Sequence, residues 1–173
     1  MTLTRPQETE FAPFYAGYIG QVPATGPVAL LQDQIAVFEA VRGLAETVGD
    51  HRYAAGKWSV KQLLGHMADT ERVFGYRLVR IARADPTPLP GFDENAWAAV
   101  APHGRRRLAD VVDELIAVRR STIALVESLD DTAVANRGLA NNHPVTARAI
   151  CWMIPGHAQH HLGILSARYG LRL

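Results

Sequence analysis

Prolines divide this chain before any propensity is weighed, because a proline inside a helix costs about 3 kcal/mol. Pro6, Pro13, Pro23 and Pro27 mark an irregular leader, Pro86, Pro88, Pro90 and Pro102 a mid-chain loop, and Pro144 a late turn. Between them lie four long stretches, and only the last contains a proline, Pro155.

All four stretches repeat apolar residues at helical spacing. The first runs from Pro27 to Val48 through Leu31, Ile35, Phe38, Val41 and Leu44, with Pro27 suited to a first turn and Gly49 to a stop. The second opens at Ser59, whose hydroxyl can cap the helix while Gln62 reaches back. It continues through Leu63, Leu64, Met67, Phe74, Leu78 and Ile81 and ends near Asp85. The third spans Leu108 to Leu129, with Val111, Val112, Leu115, Val118, Leu125 and Val126 on one stripe. The fourth spans Thr146 to Tyr169 and is stopped by Gly170. No convincing period-2 run competes with them, so the expectation is all-α, a four-helix bundle. Residues 1–26 form the leader and 27–173 the bundle of a single domain. Asp93 to Val100 suits a minor helix within a second connection of about 20 residues, long enough for a crossover.

Charge and cysteine content exclude several functions. Eighteen Lys and Arg against seventeen Asp and Glu leave a net charge of +1, without the basic excess of a phosphate-tracking protein, so no nucleic-acid partner is expected. One cysteine, Cys151, permits no intrachain disulfide and no Cys-rich zinc or iron–sulfur site; it reads as a small buried residue. No window reaches the ~20 apolar residues of a membrane span, and Met1 to Phe11 lacks an apolar signal core. A cytoplasmic protein is the default expectation.

A metal bound to such a chain must be held by nitrogen or oxygen, and the histidines offer a place. Within Gly156-His157-Ala158-Gln159-His160-His161, positions 157 and 161 differ by about 40° around a helix. That spacing lets one helix supply two imidazoles to one ion. His157 and His161 continue the stripe of Ile150, Ile154, Ile164 and Leu165, whereas His160 lies towards its edge; His157 with His160, at i+3, is also geometrically possible. Pro155 either bends the helix and aims the histidines or is a tolerated kink. On the second helix, His66 flanks the apolar stripe, where it is either a satisfied histidine or a third ligand reaching in from the side.

Asp69 and Glu71 stand near His66, and a carboxylate can orient a ligand imidazole or act on a metal-bound water. The alternative for both is an ion pair with Arg72, Arg77 or an arginine of another helix. His51, His103 and His143 are expected in loops and solvated, and Arg105-Arg106-Arg107 as a solvated helix start.

The blocks Gly56-Lys57-Trp58-Ser59-Val60-Lys61, Leu64-Gly65-His66-Met67-Ala68-Asp69-Thr70-Glu71-Arg72 and Gly156-His157-Ala158-Gln159-His160-His161-Leu162, with Pro88-Leu89-Pro90-Gly91-Phe92-Asp93-Glu94 between them, resemble the DinB-like (DinB/YfiT) superfamily over nearly the whole chain. The resemblance implies a four-helix bundle in up-down-down-up order that binds a divalent metal through three histidines. Matched residue by residue, these are His66, His157 and His161. Relatives in that superfamily include thiol transferases using low-molecular-weight thiols; imidazoles accept zinc, nickel, copper and iron alike, and zinc or nickel is the ion expected here.

Two readings of function follow. In the first the chain is a metal-dependent enzyme, a thiol S-transferase or hydrolase of small molecules, because three histidines leave a coordination position open. In the second it is a non-catalytic, metal-stabilised bundle in stress response or binding, which a fourth protein ligand such as Glu71 or Asp69 would favour. A homodimer is also expected, chiefly from the resemblance, with Phe11, Phe14, Tyr15 and Tyr18 of the leader as its only support in the residues.

Overall fold

The computed structural model describes residues 3–173. Eight α-helices are found there: α1 (Ala16–Gly20), α2 (Pro27–Arg42), α3 (Glu46–Asp50), α4 (Val60–Ala82), α5 (Glu94–Val100), α6 (Leu108–Glu127), α7 (Asp131–Ala135) and α8 (Ala147–Tyr169). A hairpin of β1 (Arg137–Ala140) and β2 (His143–Thr146) precedes α8. The chain is a four-helix bundle of α2, α4, α6 and α8, and no helix is long and apolar enough to cross a membrane.

Local chemistry sets the helix ends. Ser59 Oγ accepts from the Gln62 amide while Gln62 Oε1 accepts from the Ser59 amide, closing a capping box on α4. Thr146 Oγ1 caps α8 through the Ala149 amide, and Gly170 ends it at φ 71°, a left-handed conformation that favours glycine.

Hydrogen bonds between helices fix the direction of each. Glu46, just past the end of α2, accepts from Lys61 Nζ at the start of α4 and from the Leu108 amide at the start of α6. Both helices therefore begin where α2 finishes and run the other way. Tyr169, at the end of α8, donates to the Trp58 carbonyl just before α4, so α8 runs with α2. The order is up-down-down-up. α4 and α6 lie parallel, tied by Arg72–Glu114 and Arg119–Glu71, and the long connection through α5 carries the chain back between them.

A polar belt crosses the bundle at mid-height and splits the core in two. On one side lie Phe38, Leu64, Met67 and Leu115; on the other lie Leu31, Phe74, Leu78, Ile150 and Met153. Between them Arg119, fully buried, donates through Nε and Nη2 to both oxygens of Glu71 at 2.8 Å and through Nη1 to Gln34 Oε1. Gln34 Nε2 continues the belt to the Pro155 carbonyl at 3.0 Å and Gln159 Oε1 at 3.1 Å.

Three features differ from the sequence expectation. The first stretch is not one helix to Val48: α2 ends at Gly43, a weak helix former, and α3 packs separately because Glu46 is drawn to α4 and α6. The leader is not wholly irregular. It holds α1 and two 3₁₀ turns, and Phe11, Ile19 and Val22 are buried against the bundle, whereas Phe14 is 55% exposed. A hairpin, missed for want of alternation in four-residue strands, turns through Asn141 and Asn142 at φ 51° and 62°. Leu89 bonds to the Leu139 carbonyl and the Asn141 amide, 2.9 Å each, so the hairpin pins the mid-chain loop over the bundle.

Candidate metal centre

Three imidazoles converge where α4 faces α8. His66 Nε2 lies 3.2 Å from His161 Nε2, which lies 3.0 Å from His157 Nε2. Three nitrogens each 2.0–2.1 Å from a tetrahedral zinc would stand about 3.3 Å apart, so the cluster has the dimensions of an ion's coordination shell. His160 is not part of it; its ring instead lies 5.3 Å from that of Tyr18. Of the two spacings left open, the i+4 pair is the one that converges with His66.

Burial keeps the three bases neutral. It lowers the pKa of His66 to about 4 and of His161 to about 3, and that of His157 well below the ordinary value, with the neighbouring imidazoles adding to the effect on the latter two. Neutral imidazole is the form that donates a lone pair to a metal. Thr70 Oγ1, 3.4 Å from His66 Nδ1, favours the tautomer that leaves Nε2 free for the cluster. Trp58 packs on His66 with ring centroids 4.9 Å apart, and Tyr18 meets His157 edge-on at 5.3 Å. These residues fit a divalent transition metal: three converging imidazole nitrogens, with no further His, Cys, Asp or Glu joining the cluster among the described residues.

Two glycines make the arrangement possible. A Cβ on Gly156, next to His157, would stand 2.1 Å from the Tyr18 carbonyl oxygen, so the missing side chain lets the leader lie directly on α8. A Cβ on Gly65 would meet the His103 ring at 2.1 Å.

The histidines open into a cavity of about 340 Å³. The leader contributes Phe14, Tyr15 and Tyr18, α4 contributes Thr70, Phe74 and Arg77, the mid-chain loop and α5 contribute Phe92, Glu94 and Asn95, and the hairpin contributes Asn141. Glu94 is the one carboxylate on this wall among the described residues.

Asp69 and Glu71, expected beside the imidazoles, are engaged elsewhere. Glu71 is the buried partner of Arg119, the ion-pair alternative. Asp69 Oδ2 lies 2.9 Å from His103 Nε2, and Oδ1 lies 3.4 Å from Arg72 Nη1. Burial raises the Asp69 pKa, but the His103 bond and the charges of His103 and Arg72 outweigh it and hold the carboxyl below its usual range. His103, expected in solvent, is 5% exposed, in the slot that Gly65 leaves. His143 lies in β2 rather than a loop, and exposed as expected. Sequence reasoning gave Glu94 no role, although it ends the Pro88–Glu94 block.

The depressed histidine pKa values carry a stability prediction. A group that takes up protons more readily when unfolded stabilises the fold above its unfolded pKa and loses that contribution as pH falls towards its folded one. The metal-free protein is therefore expected to lose stability between about pH 6.5 and pH 4, by about 3 kcal/mol from His66 alone. Urea melts at half-unit pH steps would show the slope; a flat profile across that interval contradicts it.

A bundle of this order, with three imidazoles set between antiparallel helices at the mouth of a cavity, defines a class of histidine-centred helical bundles built to hold a metal. The chain belongs to the DinB superfamily, whose family model matches residues 29–165. It is 25% identical over 130 residues, 72% of each chain, to a protein of Oceanobacillus iheyensis whose name proposes a metal-dependent hydrolase. Its fold matches that of YfiT from Bacillus subtilis with a TM-score of 0.70 at 19% identity, over 98% of this chain and 95% of the other. YfiT is described as a candidate metal-dependent hydrolase with an unusual four-helix bundle topology.

Proposed function

We propose that His66, His157 and His161 hold one divalent ion, zinc or nickel, and that the chain is a metal-dependent enzyme, a hydrolase or thiol S-transferase of small molecules. The observation that carries this reading is that three converging nitrogens, without a fourth protein ligand among the described residues, face a cavity of ligand size. A structural zinc site is usually closed by four protein ligands, which weighs against the stabilised-bundle alternative. The names of the O. iheyensis relative and of YfiT support the hydrolase form.

Bound there, the ion would supply Lewis acidity and make a water or thiol more acidic near neutral pH. The chain's own residues do the rest. Trp58, Phe74, Tyr15 and Tyr18 form the aromatic part of the cavity wall and lower the polarity around the site, which strengthens polar interactions there. A Glu94 carboxylate oxygen accepts the proton of the attacking water or thiol. Thr70 fixes the ring of His66. Glu94→Gln should lower kcat by about 10²–10⁴-fold with metal content unchanged; a variant with parental turnover removes Glu94 from this role.

The reading as a whole is tested by metal analysis of protein purified without a nickel column, followed by ester-hydrolysis and thiol-transfer assays. One equivalent of metal with turnover supports it. One equivalent without turnover of any ester or thiol substrate, and with a large fall in melting temperature on metal removal, supports the stabilised bundle instead.

A further inference from the structure

Arg77 is the one feature of the cavity wall that the histidine chemistry leaves unexplained. It is 3% exposed, yet no carboxylate among the described residues lies within 4.0 Å of its guanidinium. Among the described residues its guanidinium donates to the Pro90 carbonyl, 2.6 Å from Nη2, and it shares the cavity wall with Tyr15. A buried cation without a counter-ion is costly unless something else supplies the charge. Arg119 shows how the same fold treats a guanidinium with a purely internal role: it is bidentate with Glu71, bonded to Gln34 and fully buried. Arg77, by contrast, borders the cavity that holds the histidines.

Position adds a second argument. Arg77 follows His66 by eleven residues on α4, which places the two about 20° apart around the helix and about 16 Å apart along it. They therefore look into the same cavity from opposite ends. Phe74 spans the gap, its ring 6.0 Å from Arg77 Cζ and 6.0 Å from the His157 ring. Charge along the wall is segregated: Glu94 is the carboxylate that acts most strongly on His66, while Arg77 faces the other end. Arg77 also borders a second, more apolar cavity of about 390 Å³, whose other charged groups, Asp69 and Arg72, pair with each other.

We propose that Arg77 is an anion subsite, so that the substrate of the metal centre carries a carboxylate at the end remote from its reacting group, with an apolar or aromatic body lying along Phe74. A planar guanidinium suits this task, since it can give two parallel N–H bonds to one carboxylate. The proposal takes its substrate from the function proposed above, but anion binding at Arg77 needs no metal.

The test uses two probes of equal shape, phenylacetate and its neutral amide, titrated calorimetrically into the full chain with and without zinc. In metal-stripped protein, phenylacetate should bind about 10-fold or more tightly than phenylacetamide. Arg77→Gln should bring the two together, and Arg77→Lys should keep part of the preference. Equal binding of both probes by the metal-stripped parent, no binding of either, or a preference that survives Arg77→Gln would overturn the subsite. The parent comparison decides the matter even if a variant fails to fold. If the protein takes up no zinc but still prefers phenylacetate, the metal reading fails and the subsite stands; if it takes up zinc without the preference, the reverse holds.

Discussion

Glu71→Gln should unfold at a temperature lower by about 10 °C, a loss of about 3–5 kcal/mol, while the metal content of the folded protein stays the same. The cost arises because Arg119, with no exposure to solvent, keeps its charge and loses the carboxylate that faces it at 2.8 Å on two nitrogens. A paired replacement, Glu71→Leu with Arg119→Met, should recover most of the loss, since removing both charges leaves no buried ion unmatched. Thermal melts of the parent, the single variant and the pair form the comparison. A single variant that melts with the parent but loses metal or turnover would return Glu71 to the catalytic role first expected of it.

His161→Ala is expected to fold and to lose more than about 100-fold in metal affinity, beyond the 10–100-fold typical of losing only an outer partner. Its Nε2 sits 3.2 Å from that of His66 and 3.0 Å from that of His157, so both other ligands depend on it to complete the set. His160→Ala should keep nearly all its metal, because that ring lies tilted beside Tyr18, outside the cluster. Competition against a chromophoric chelator measures both. Retention in His161→Ala with loss in His160→Ala would reverse the assignment.

Features that rest on neighbouring residues could be read directly. Ser59 and Gln62 are three apart and close a capping box; His157 and His161 are four apart and share a helix face; Gly170 follows the last apolar residue and takes the left-handed turn. Periodicity also found the four bundle helices. What stayed open between two readings, or escaped, depends on partners distant in sequence. Asp69 and Glu71 sit two residues apart beside a histidine, yet one is claimed by His103 and the other by Arg119, 34 and 48 residues away. The slot that buries His103 exists only because Gly65 has no side chain, and glycine in a helix gives no hint of what will lie on it. The hairpin escaped for a different reason: four residues per strand, with Gly138 and Pro144 among them, give too little alternation to register. Glu94 looked like an ordinary first-turn acid of a minor helix, and only the path of the mid-chain loop turns it towards His66.

Because the cluster draws on both α4 and α8, an ion held there would also be a staple. It would join His66 to His161 across 95 residues of sequence, more than half the chain, in a protein whose single cysteine is buried and has no disulfide partner. Closing a loop of that length removes unfolded-state freedom worth about 4–5 kcal/mol by the reckoning used for disulfides. Unlike a sulfur bridge, this one would form without an oxidant and would come undone with a chelator or with acid. Resistance of such a protein to heat or proteolysis would then follow the supply of metal around it.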